Sequence, residues 1–412
     1  MSSLDLSRAG AESLDTGNPL RGHHDLFDLP EGLVYLDGNS LGALPRSVAP
    51  HLARVTGEQW GRGLISSWND ADWIHLPARV SAKIAPLIGA PPGDVHVGDS
   101  TTVLLFKMMV AAARMRPDRR VIVIEPTTFP TDGYVAAGVA DLLGLEVRWC
   151  DPADPAAALD HDVALLALTH VDFRSGALYD MAALTAATHE VGAVVEWDLC
   201  HSAGAVPVDL VAVDADFAVG CTYKYLNGGP GSPAFAYVAA RHHDDLAQPI
   251  TGWMGHAHPF EMERDHRPAD GIRRMASGTP PVLALSALDA ALDVFGDVDM
   301  TALRQVSVSL TDYFIALVDA RLGDTFKIIT PRDSAVRGSQ VSLAHPDAYG
   351  VVQALIARGV VGDFRTPDVA RFGFAPLYVT HVDVWDAVDR LVAVMAADEH
   401  LHPSYAVRNV VT

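Results

Sequence analysis

Short apolar segments alternate with longer segments of helical periodicity from about residue 93 onward, and this alternation limits the possible folds most strongly. The apolar segments predict strands at Asp94–Gly98, Val121–Glu125, Asp162–Thr169, Ala193–Trp197, Asp216–Thr222 and Ala234–Ala239. Between these strands the pattern predicts helices at Val103–Met115, Tyr134–Leu143 and Met181–Val191. Uniformly apolar strands separated by helices are typical of a mainly parallel sheet with helices on both faces. The predicted fold class is therefore α/β, in which ligands bind beyond the carboxyl ends of the strands.

The pattern changes from about Val282, which indicates a second, smaller α+β domain. Its predicted elements are helices at Val282–Phe295, Met300–Arg321 and Val384–Glu399 and strands at Lys327–Thr330 and Gln340–Leu343. We therefore predict an N-terminal segment (residues 1–55) that joins the small domain, a large domain (56–295) and a small domain (296–412). A chain of 412 residues with 49% hydrophobic content is long enough to fill both cores.

The charge balance argues against two classes of partner. Thirty Lys and Arg against 51 Asp and Glu give a net charge of −21, whereas nucleic acids and anionic membranes are bound by basic faces. The sequence contains neither an apolar run of membrane-spanning length nor the apolar segment of a secretory signal at its start. Its three cysteines, Cys150, Cys200 and Cys221, lack metal-ligand spacing. We therefore expect reduced thiols, no metal and a cytoplasmic location.

Two polar side chains follow consecutive predicted strands of the large domain. The strand AVVEW is followed by Asp198 in the string EWDLCHSAG, and the strand DFAVGCT is followed by Tyr223 and Lys224. Consecutive strands of this architecture usually lie near each other, so the carboxylate and the lysine are expected at one edge of the sheet. Taken alone, these two residues could equally form a plain ion pair.

Two further segments lie where a strand gives way to a helix or loop. The string DSTTVLLF at 99–106 would present backbone N–H groups and hydroxyls to an anion at a helix N-terminus, although helix capping explains Asp99 and Ser100 equally well. The string EPTTFPTD at 125–132 places Phe129 in a loop, where it can stack on a planar ligand or cover the core. Pyridoxal 5′-phosphate needs an anion site, a stacking face, a carboxylate for its pyridine nitrogen and a lysine amine for its aldehyde. The four features together therefore predict this cofactor.

Six strings along almost the whole chain resemble the kynureninase family of fold-type-I pyridoxal-phosphate hydrolases. They are YLDGNSLG at 35–42, FPTD at 129–132, WDLCHSAG at 197–204, YKYLNGGPG at 223–231, GWMGH at 252–256 and ARFGFAPLY at 370–378. The resemblance implies a mainly parallel, seven-stranded type of sheet and hydrolysis of L-kynurenine, or its 3-hydroxy form, to anthranilate, or 3-hydroxyanthranilate, and L-alanine. Tryptophan catabolism and NAD biosynthesis both remain open as the pathway.

The resemblance also implies the residues of the chemistry. Lys224 would form the Schiff base and move protons, Asp198 would pair with the pyridine nitrogen, and His201 would support that pair. Tyr223 would serve as general acid or base at the γ-carbonyl of the substrate, or only as a hydrogen-bond donor to the phosphate.

The remaining cofactor contacts follow in the same way. Phe129 would stack on the ring, Asp132 and Thr169 would complete its surroundings, and Thr101 and Thr102 would hold the phosphate.

Further residues would bind the substrate or complete a shared site. Arg371 would bind the α-carboxylate, because a guanidinium can pair with a carboxylate through two hydrogen bonds. Asn39 and Ser40 would touch the substrate or only form a turn. Trp253 and Thr279 would reach the phosphate of a partner subunit in a homodimer. Thr279 stands where some members of the family have asparagine, which favours unsubstituted kynurenine.

This interpretation has three alternatives: two enzymes on the same fold and, from a different class, a catalytically silent cofactor-binding or interaction protein. A cysteine desulfurase needs a mobile thiol well after the lysine, and no cysteine follows Cys221. An aminotransferase would use the same cofactor residues and Arg371, so it stays open. A catalytically silent cofactor-binding protein would be expected to lose Lys224, Asp198 or Arg371, and all three are present.

Overall fold

The computed structural model describes residues 4–405 and 407–408. The outermost positions of the predicted N-terminal and C-terminal parts, 1–3 and 409–412, and position 406 lie outside the described residues. Within the described ranges, every helix is too short or too polar to cross a membrane.

The strands form three sheets. In chain order they are β1 (Val34–Tyr35), β2 (Val95–Val97), β3 (Val121–Ile124), β4 (Glu146–Trp149), β5 (Val163–Thr169), β6 (Val194–Asp198), β7 (Phe217–Gly220), β8 (Phe235–Val238), β9 (Lys327–Ile328), β10 (Gln340–Ala344), β11 (Val360–Val361), β12 (Asp363–Arg365) and β13 (Val369–Gly373). The large sheet has seven strands in the order β2-β8-β7-β6-β5-β3-β4. Strand β8 is antiparallel to both of its neighbours, and the other neighbouring pairs are parallel. The predicted α/β class with a mainly parallel sheet is confirmed.

The sequence analysis predicted six strands of this sheet and missed the seventh, β4. Strand β4 lies at the edge of the sheet, and all four of its residues are exposed or half-buried. Its sequence Glu-Val-Arg-Trp alternates polar and apolar residues, as expected of an edge strand with one solvated face. The search for uniformly apolar runs finds strands buried on both faces and passes over such an edge.

Helices cover both faces of the large sheet. In chain order the helices are α1 (Arg8–Thr16), α2 (Val48–Arg54), α3 (Ser67–Asp70), α4 (Leu76–Ile84), α5 (Thr101–Arg114), α6 (Pro130–Leu143), α7 (Met181–Glu190), α8 (Val282–Ala291), α9 (Met300–Leu322), α10 (Ala348–Ala357) and α11 (His381–Ala396). Alternate residues of the strands belong to two separate cores, with Val123, Leu166 and Val195 in one and Ile124, Leu165 and Val194 in the other. The second core includes α5 and α6. Both faces of the large sheet are therefore buried against apolar side chains, which explains the uniformly apolar central strands.

The small second sheet has the order β12-β13-β10-β9, and all of its pairs are antiparallel. The N-terminal residues contact this C-terminal part of the chain. Strand β1 pairs with β11, Tyr313 Oη donates to the Ser7 carbonyl at 3.0 Å, and Trp385 Nε1 donates to the Leu6 carbonyl at 3.1 Å. The domain boundaries themselves stay predictions. Strands β12 and β13, which the sequence analysis did not predict, bring Arg371 toward the large domain.

Candidate active site

A cavity of about 200 Å³, partly open to solvent, lies at the carboxyl ends of β5, β6 and β7. Eleven of the predicted site residues line it, namely Ser40, Thr101, Thr102, Phe129, Asp132, Thr169, Asp198, His201, Tyr223, Lys224 and Arg371. Three predicted residues, Asn39, Trp253 and Thr279, are not in the lining.

Lys224 lies four residues beyond the end of β7, and its ammonium group has His201 as a neighbour. Lys224 Nζ is 2.9 Å from His201 Nε2. Burial, followed by the positive charges of Lys224 and Arg371, holds the pKa of the His201 imidazole well below its usual range. His201 is therefore neutral and accepts the hydrogen bond from the lysine. The structure thus places His201 against Lys224, whereas the sequence analysis placed it in support of Asp198.

Asp198 is the last residue of β6 and is almost completely buried. Its Oδ1 accepts a hydrogen bond from the Cys200 backbone N–H at 2.6 Å. Two other buried carboxyl groups lie near it, those of Asp132 and Glu196. Burial, followed in each case by negatively charged neighbours that include Asp198, raises the pKa of both groups well above the usual range. The raised pKa values favour the protonated forms of Asp132 and Glu196, which lessens the negative charge beside Asp198.

Asp132 is held by two hydroxyl groups, one from the loop before α6 and one from the end of β5. Asp132 Oδ2 accepts from Thr128 Oγ1 at 2.9 Å and from Thr169 Oγ1 at 3.2 Å. Thr128 Oγ1 and Thr169 Oγ1 are 2.8 Å apart. This buried network joins the start of α6 to the end of β5 and fixes the wall of the cavity on that side.

The start of α5 offers an anion site. Ser100 caps the helix, because its hydroxyl accepts from the Val103 N–H at 3.4 Å. The first N–H groups of a helix lack partners inside the helix, and among the described residues the N–H groups of Thr101 and Thr102 have no hydrogen-bond acceptor. Both threonines also line the cavity. A phosphate group fits this place by its charge and by its hydrogen-bond acceptors.

Phe129 ends the loop before α6 and is 43% exposed, which is unusual for a phenylalanine in a well-packed domain. Its ring stands edge-on to that of Phe173, with centroids 5.4 Å apart. One face of Phe129 is therefore available to a planar ligand in the cavity.

The string GNSLG packs against the turn that carries the lysine. Gly42 N–H donates to the Tyr223 carbonyl at 2.7 Å, and a Cβ at Gly42 would lie 2.2 Å from the Lys224 carbonyl oxygen. Only glycine permits this approach. Asn39 is fully buried behind the cavity wall, and Ser40 reaches the cavity itself.

Arg371 lies in the middle of β13 and is only 1% exposed. Its Nε donates to Asp363 Oδ1 at 2.8 Å, its Nη2 pairs with Asp363 Oδ2, and the same Nη2 donates to Ser40 Oγ at 2.8 Å. Its Nη1 donates to the Phe173 carbonyl at 2.6 Å. The guanidinium is thus held in one orientation at the edge of the cavity.

Trp253 and Thr279 belong to a surface unit formed by residues 250–283. Both are exposed, and Trp253 stands edge-on to Phe260 with centroids 5.5 Å apart. Fully buried Lys107 holds this unit to the N-terminal end of α5, because its Nζ donates to Asp99 Oδ2 at 2.6 Å, to the Met275 carbonyl at 2.7 Å and to Ser277 Oγ at 2.6 Å.

Sequence reasoning missed four residues of the lining, Thr131, Phe173, Cys200 and Arg365. Three of them lie in or just after a feature that the sequence analysis had identified. Thr131 and Cys200 lie inside the strings FPTD and WDLCHSAG, and Phe173 follows the end of β5 by four positions. Arg365 had no local signal, because the strand that carries it was not predicted.

Solved structures with similar architecture define the class. A mutant of C-DES, solved with glycine covalently linked to its PLP cofactor, superposes with a TM-score of 0.76 at 17% identity and covers 88% of this chain and 97% of that chain. The cysteine desulfurase CsdA of Escherichia coli superposes with a TM-score of 0.75 at 23% identity and covers 93% of this chain and 98% of that chain. The fold is that of the fold-type-I pyridoxal-phosphate enzymes.

Relatives in sequence identify the family. A kynureninase of Deinococcus radiodurans is 54% identical over 95% of this chain and 97% of its own length. A kynureninase of Burkholderia pseudomallei (strain 1106a) is 49% identical over 98% of this chain and 100% of its own length. Residues 303–391 match the family model described as the kynureninase C-terminal domain. The chain belongs to the kynureninase family.

Proposed function

We propose that this protein hydrolyses the Cβ–Cγ bond of L-kynurenine to give anthranilate and L-alanine, with pyridoxal phosphate bound in the cavity. One observation carries the proposal: Lys224, Asp198 and Arg371, which lie far apart in the sequence, line one cavity in a chain of the kynureninase family. A Schiff-base amine, a carboxylate for the pyridine nitrogen and a guanidinium for an α-carboxylate are thereby brought together.

The residues present fit the cofactor at each of its polar groups. The unpaired N–H groups at the start of α5 suit the phosphate, the exposed face of Phe129 suits the ring, and buried Asp198 suits a protonated ring nitrogen. When bound, pyridoxal phosphate supplies an aldehyde that reacts with amines and a protonated ring that withdraws electrons from the substrate Cα.

Lys224 is the residue that moves protons. Its amine, once released by the substrate, lies at the cavity wall and can take the proton from Cα. Neutral His201, 2.9 Å away, can accept a hydrogen bond from that amine and keep it in place. Asp198 contributes a negative charge from a side chain that is itself almost completely buried, where such charges act more strongly than in water.

Tyr223 is the candidate proton donor at the γ-carbonyl. Burial, followed by the neighbouring Cys221 and Cys200 thiols, raises the pKa of its phenol above the usual range. The phenol therefore keeps its proton at neutral pH and donates to oxygen, which suits cleavage of a carbonyl compound and suits a phosphate contact as well. A role as base would require positive charge beside it.

We also propose a homodimer with shared sites, in which Trp253 and Thr279 of one subunit complete the phosphate site of the other. Large apolar side chains are exposed around this unit, namely Ile250, Trp253, Phe260, Met262 and Leu283. A second copy of the chain would cover them, as such patches in soluble proteins usually mark contacts. A cytoplasmic location stays a prediction, supported by three cysteines that are buried and unpaired.

The direct experiment is to incubate the purified protein with L-kynurenine and to follow anthranilate fluorescence and alanine. Hydrolysis predicts equal amounts of both products without any added keto acid. An aminotransferase would instead need a keto acid as co-substrate and would give no anthranilate. That result would replace the proposal by its alternative. Activity on 3-hydroxy-L-kynurenine, measured in parallel, tests the preference for unsubstituted kynurenine that Thr279 suggests.

The shared site can be tested by mixing subunits. One chain carries Lys224→Ala, and the other carries Trp253→Ala with Thr279→Ala. If Trp253 and Thr279 act across the interface, the mixed dimer regains one intact site and binds cofactor more tightly there than the second variant does alone. If they act within their own chain, mixing restores nothing.

A further inference from the structure

Arg371 has few hydrogen-bond donors left for a ligand. An arginine carries five N–H groups. In Arg371 the Nε group, one Nη1 group and both Nη2 groups are directed at Asp363, the Phe173 carbonyl and Ser40. One N–H of Nη1 remains. Arg371 alone therefore cannot offer a carboxylate two parallel hydrogen bonds unless one of these contacts breaks.

Arg365 is the second guanidinium of the cavity and has donors to spare. Its Nη2 is 2.7 Å from Asp363 Oδ2 and 3.2 Å from Ser40 Oγ. Its Nε is buried without a partner, and its Nη1 has no hydrogen-bond acceptor among the described residues. The side chain is 35% exposed and lines the cavity. The partly exposed guanidinium of Arg365 can therefore donate from Nη1 to an anion in the cavity while its Nη2 stays against Asp363 and Ser40.

The charges around the two arginines explain how they can lie together. Asp363 sits between them and pairs with both. The other acidic group at this cluster is Asp37. Burial, followed by the negative charge of Asp363, raises the pKa of its carboxyl group to about 7. Two guanidinium groups face one fully charged carboxylate and one carboxyl group that is protonated over part of the neutral range. The cluster therefore has room for one further negative charge.

We propose that Arg365 binds the α-carboxylate of the substrate together with Arg371, and that Asp363 is the counter-ion that keeps the two guanidinium groups side by side. The inference rests on the proposed function, because it concerns the same substrate. Arg365 supplies the free donors, whereas Arg371 supplies one N–H and a fixed orientation. Arg365 is thus a substrate-binding residue and a determinant of specificity for carboxylates.

The test uses a ligand that cannot react with an aldehyde. 3-Benzoylpropionate has the carboxylate and the aryl ketone of kynurenine but no α-amine, and its amide is the uncharged counterpart. Binding of both to the cofactor-loaded protein is measured by titration calorimetry. In Arg365→Gln the acid should bind about tenfold more weakly or worse, as expected for the loss of a hydrogen bond between charged groups, and the amide should bind as before.

Two further variants keep the test decisive. Arg174→Gln is the matched control, because Arg174 is paired with Asp368 at 3.1 Å, is well exposed and does not line the cavity. It should leave both affinities unchanged. Arg365→Lys keeps a positive charge beside Asp363, so it should fold even if Arg365→Gln does not. Arg365→Lys should lower the affinity for the acid by a smaller factor than Arg365→Gln does.

Unchanged affinity for the acid in Arg365→Gln or, if that variant does not fold, in Arg365→Lys would overturn the inference. Equal losses for acid and amide would overturn it too, since Arg365 would then only support Asp363 and the shape of the cavity. Anthranilate formation by the unmodified protein is measured in parallel. A protein that makes no anthranilate but discriminates acid from amide through Arg365 would contradict the proposed function and leave the carboxylate site standing.

Discussion

The two walls of the cavity are built in opposite ways. The wall at the ends of β6 and β7 carries Lys224 and Asp198, and each has one close hydrogen-bond partner, His201 for the lysine and the Cys200 N–H for the carboxylate. The wall formed by β12 and β13 carries Arg371, whose guanidinium contacts Asp363, Ser40 and the Phe173 carbonyl.

The difference follows from what each wall has to do. Groups that react or that pair with a cofactor must keep hydrogen-bonding positions free for the ligand. They therefore have few partners within the protein, although burying a polar group with few partners costs free energy. A group that only binds must be presented in one orientation, and a network of charged hydrogen bonds achieves that. Changes in the first wall should therefore lower kcat, and changes in the second should raise KM.

The largest effect is expected for Lys224→Ala. Loss of the amine removes the covalent link to the cofactor and the proton carrier, so turnover should fall by at least about 10³-fold. Borohydride treatment followed by mass spectrometry should find no cofactor fixed to the variant chain. The matched control is Lys327→Ala, at an exposed position of edge strand β9, which should keep both the link and the activity. Cofactor still fixed to the Lys224→Ala chain would mean that another residue forms the Schiff base.

Asp198→Asn should have the next largest effect. The amide keeps the shape and the Cys200 contact but removes the charge that protonates the ring nitrogen, so kcat should fall by about 10²-fold or more with cofactor retained. Asp209→Asn, at an exposed carboxylate that accepts from the Ala212 N–H at 2.9 Å, serves as control. A cofactor-loaded Asp198→Asn protein with normal kcat would remove Asp198 from this role.

Arg371→Ala should act mainly on KM. Removing the guanidinium takes away carboxylate binding worth about 2 kcal/mol, so KM for L-kynurenine should rise about thirtyfold and the product L-alanine should inhibit correspondingly less. The comparison of the two walls predicts that kcat changes less than KM. A variant that lost kcat alone, at unchanged KM, would contradict the division between them.

A residue of these walls could be predicted from the sequence where the neighbouring residues in the chain already indicate its place in the fold. Lys224, Asp198 and the start of α5 follow strands whose apolar character is visible in the sequence, so position in the fold and chemistry could be inferred together. Arg371 was assigned only through the resemblance. Its strand was not recognised, and its partner Asp363 comes from the neighbouring strand β12.

The surface unit shows a second limit of prediction from the sequence. Lys107 is fully buried and joins Asp99 to Ser277, 170 positions away from it in the sequence. A lysine in a helical segment reads as a surface residue, and only tertiary structure shows that its ammonium has three acceptors in the interior. Contacts between residues so distant in sequence cannot be inferred from periodicity.

The smallest predicted effect concerns pH and Asp37. In the unfolded chain this carboxyl group titrates near its ordinary value of 3.8, and in the native protein burial, followed by Asp363, raises its pKa to about 7. The native state therefore binds a proton that the unfolded state has lost, so this group lowers the free energy of unfolding as pH rises from about 4 to about 7. One unit of pKa corresponds to about 1.4 kcal/mol.

Denaturant unfolding at pH 5 and pH 8 measures this effect. Asp37→Asn should lose less stability between the two values than the unmodified protein, by about 1 kcal/mol or more. Asp160→Asn is the control, because that exposed carboxylate has a pKa lowered by the Asp162 N–H and Arg148, which outweigh its slight burial. An equal pH dependence in the Asp37→Asn protein would show that Asp37 is already charged at pH 5.

The most direct test of the account is cleavage of L-kynurenine in water labelled with heavy oxygen, with anthranilate analysed by mass spectrometry. Water must add to the γ-carbonyl before the Cβ–Cγ bond breaks, so the anthranilate carboxylate should contain at least one labelled oxygen and L-alanine should form in equal amount. Conversion of kynurenine to its α-keto acid, or to anthranilate without label, would contradict the hydrolytic function that the two walls of this cavity support.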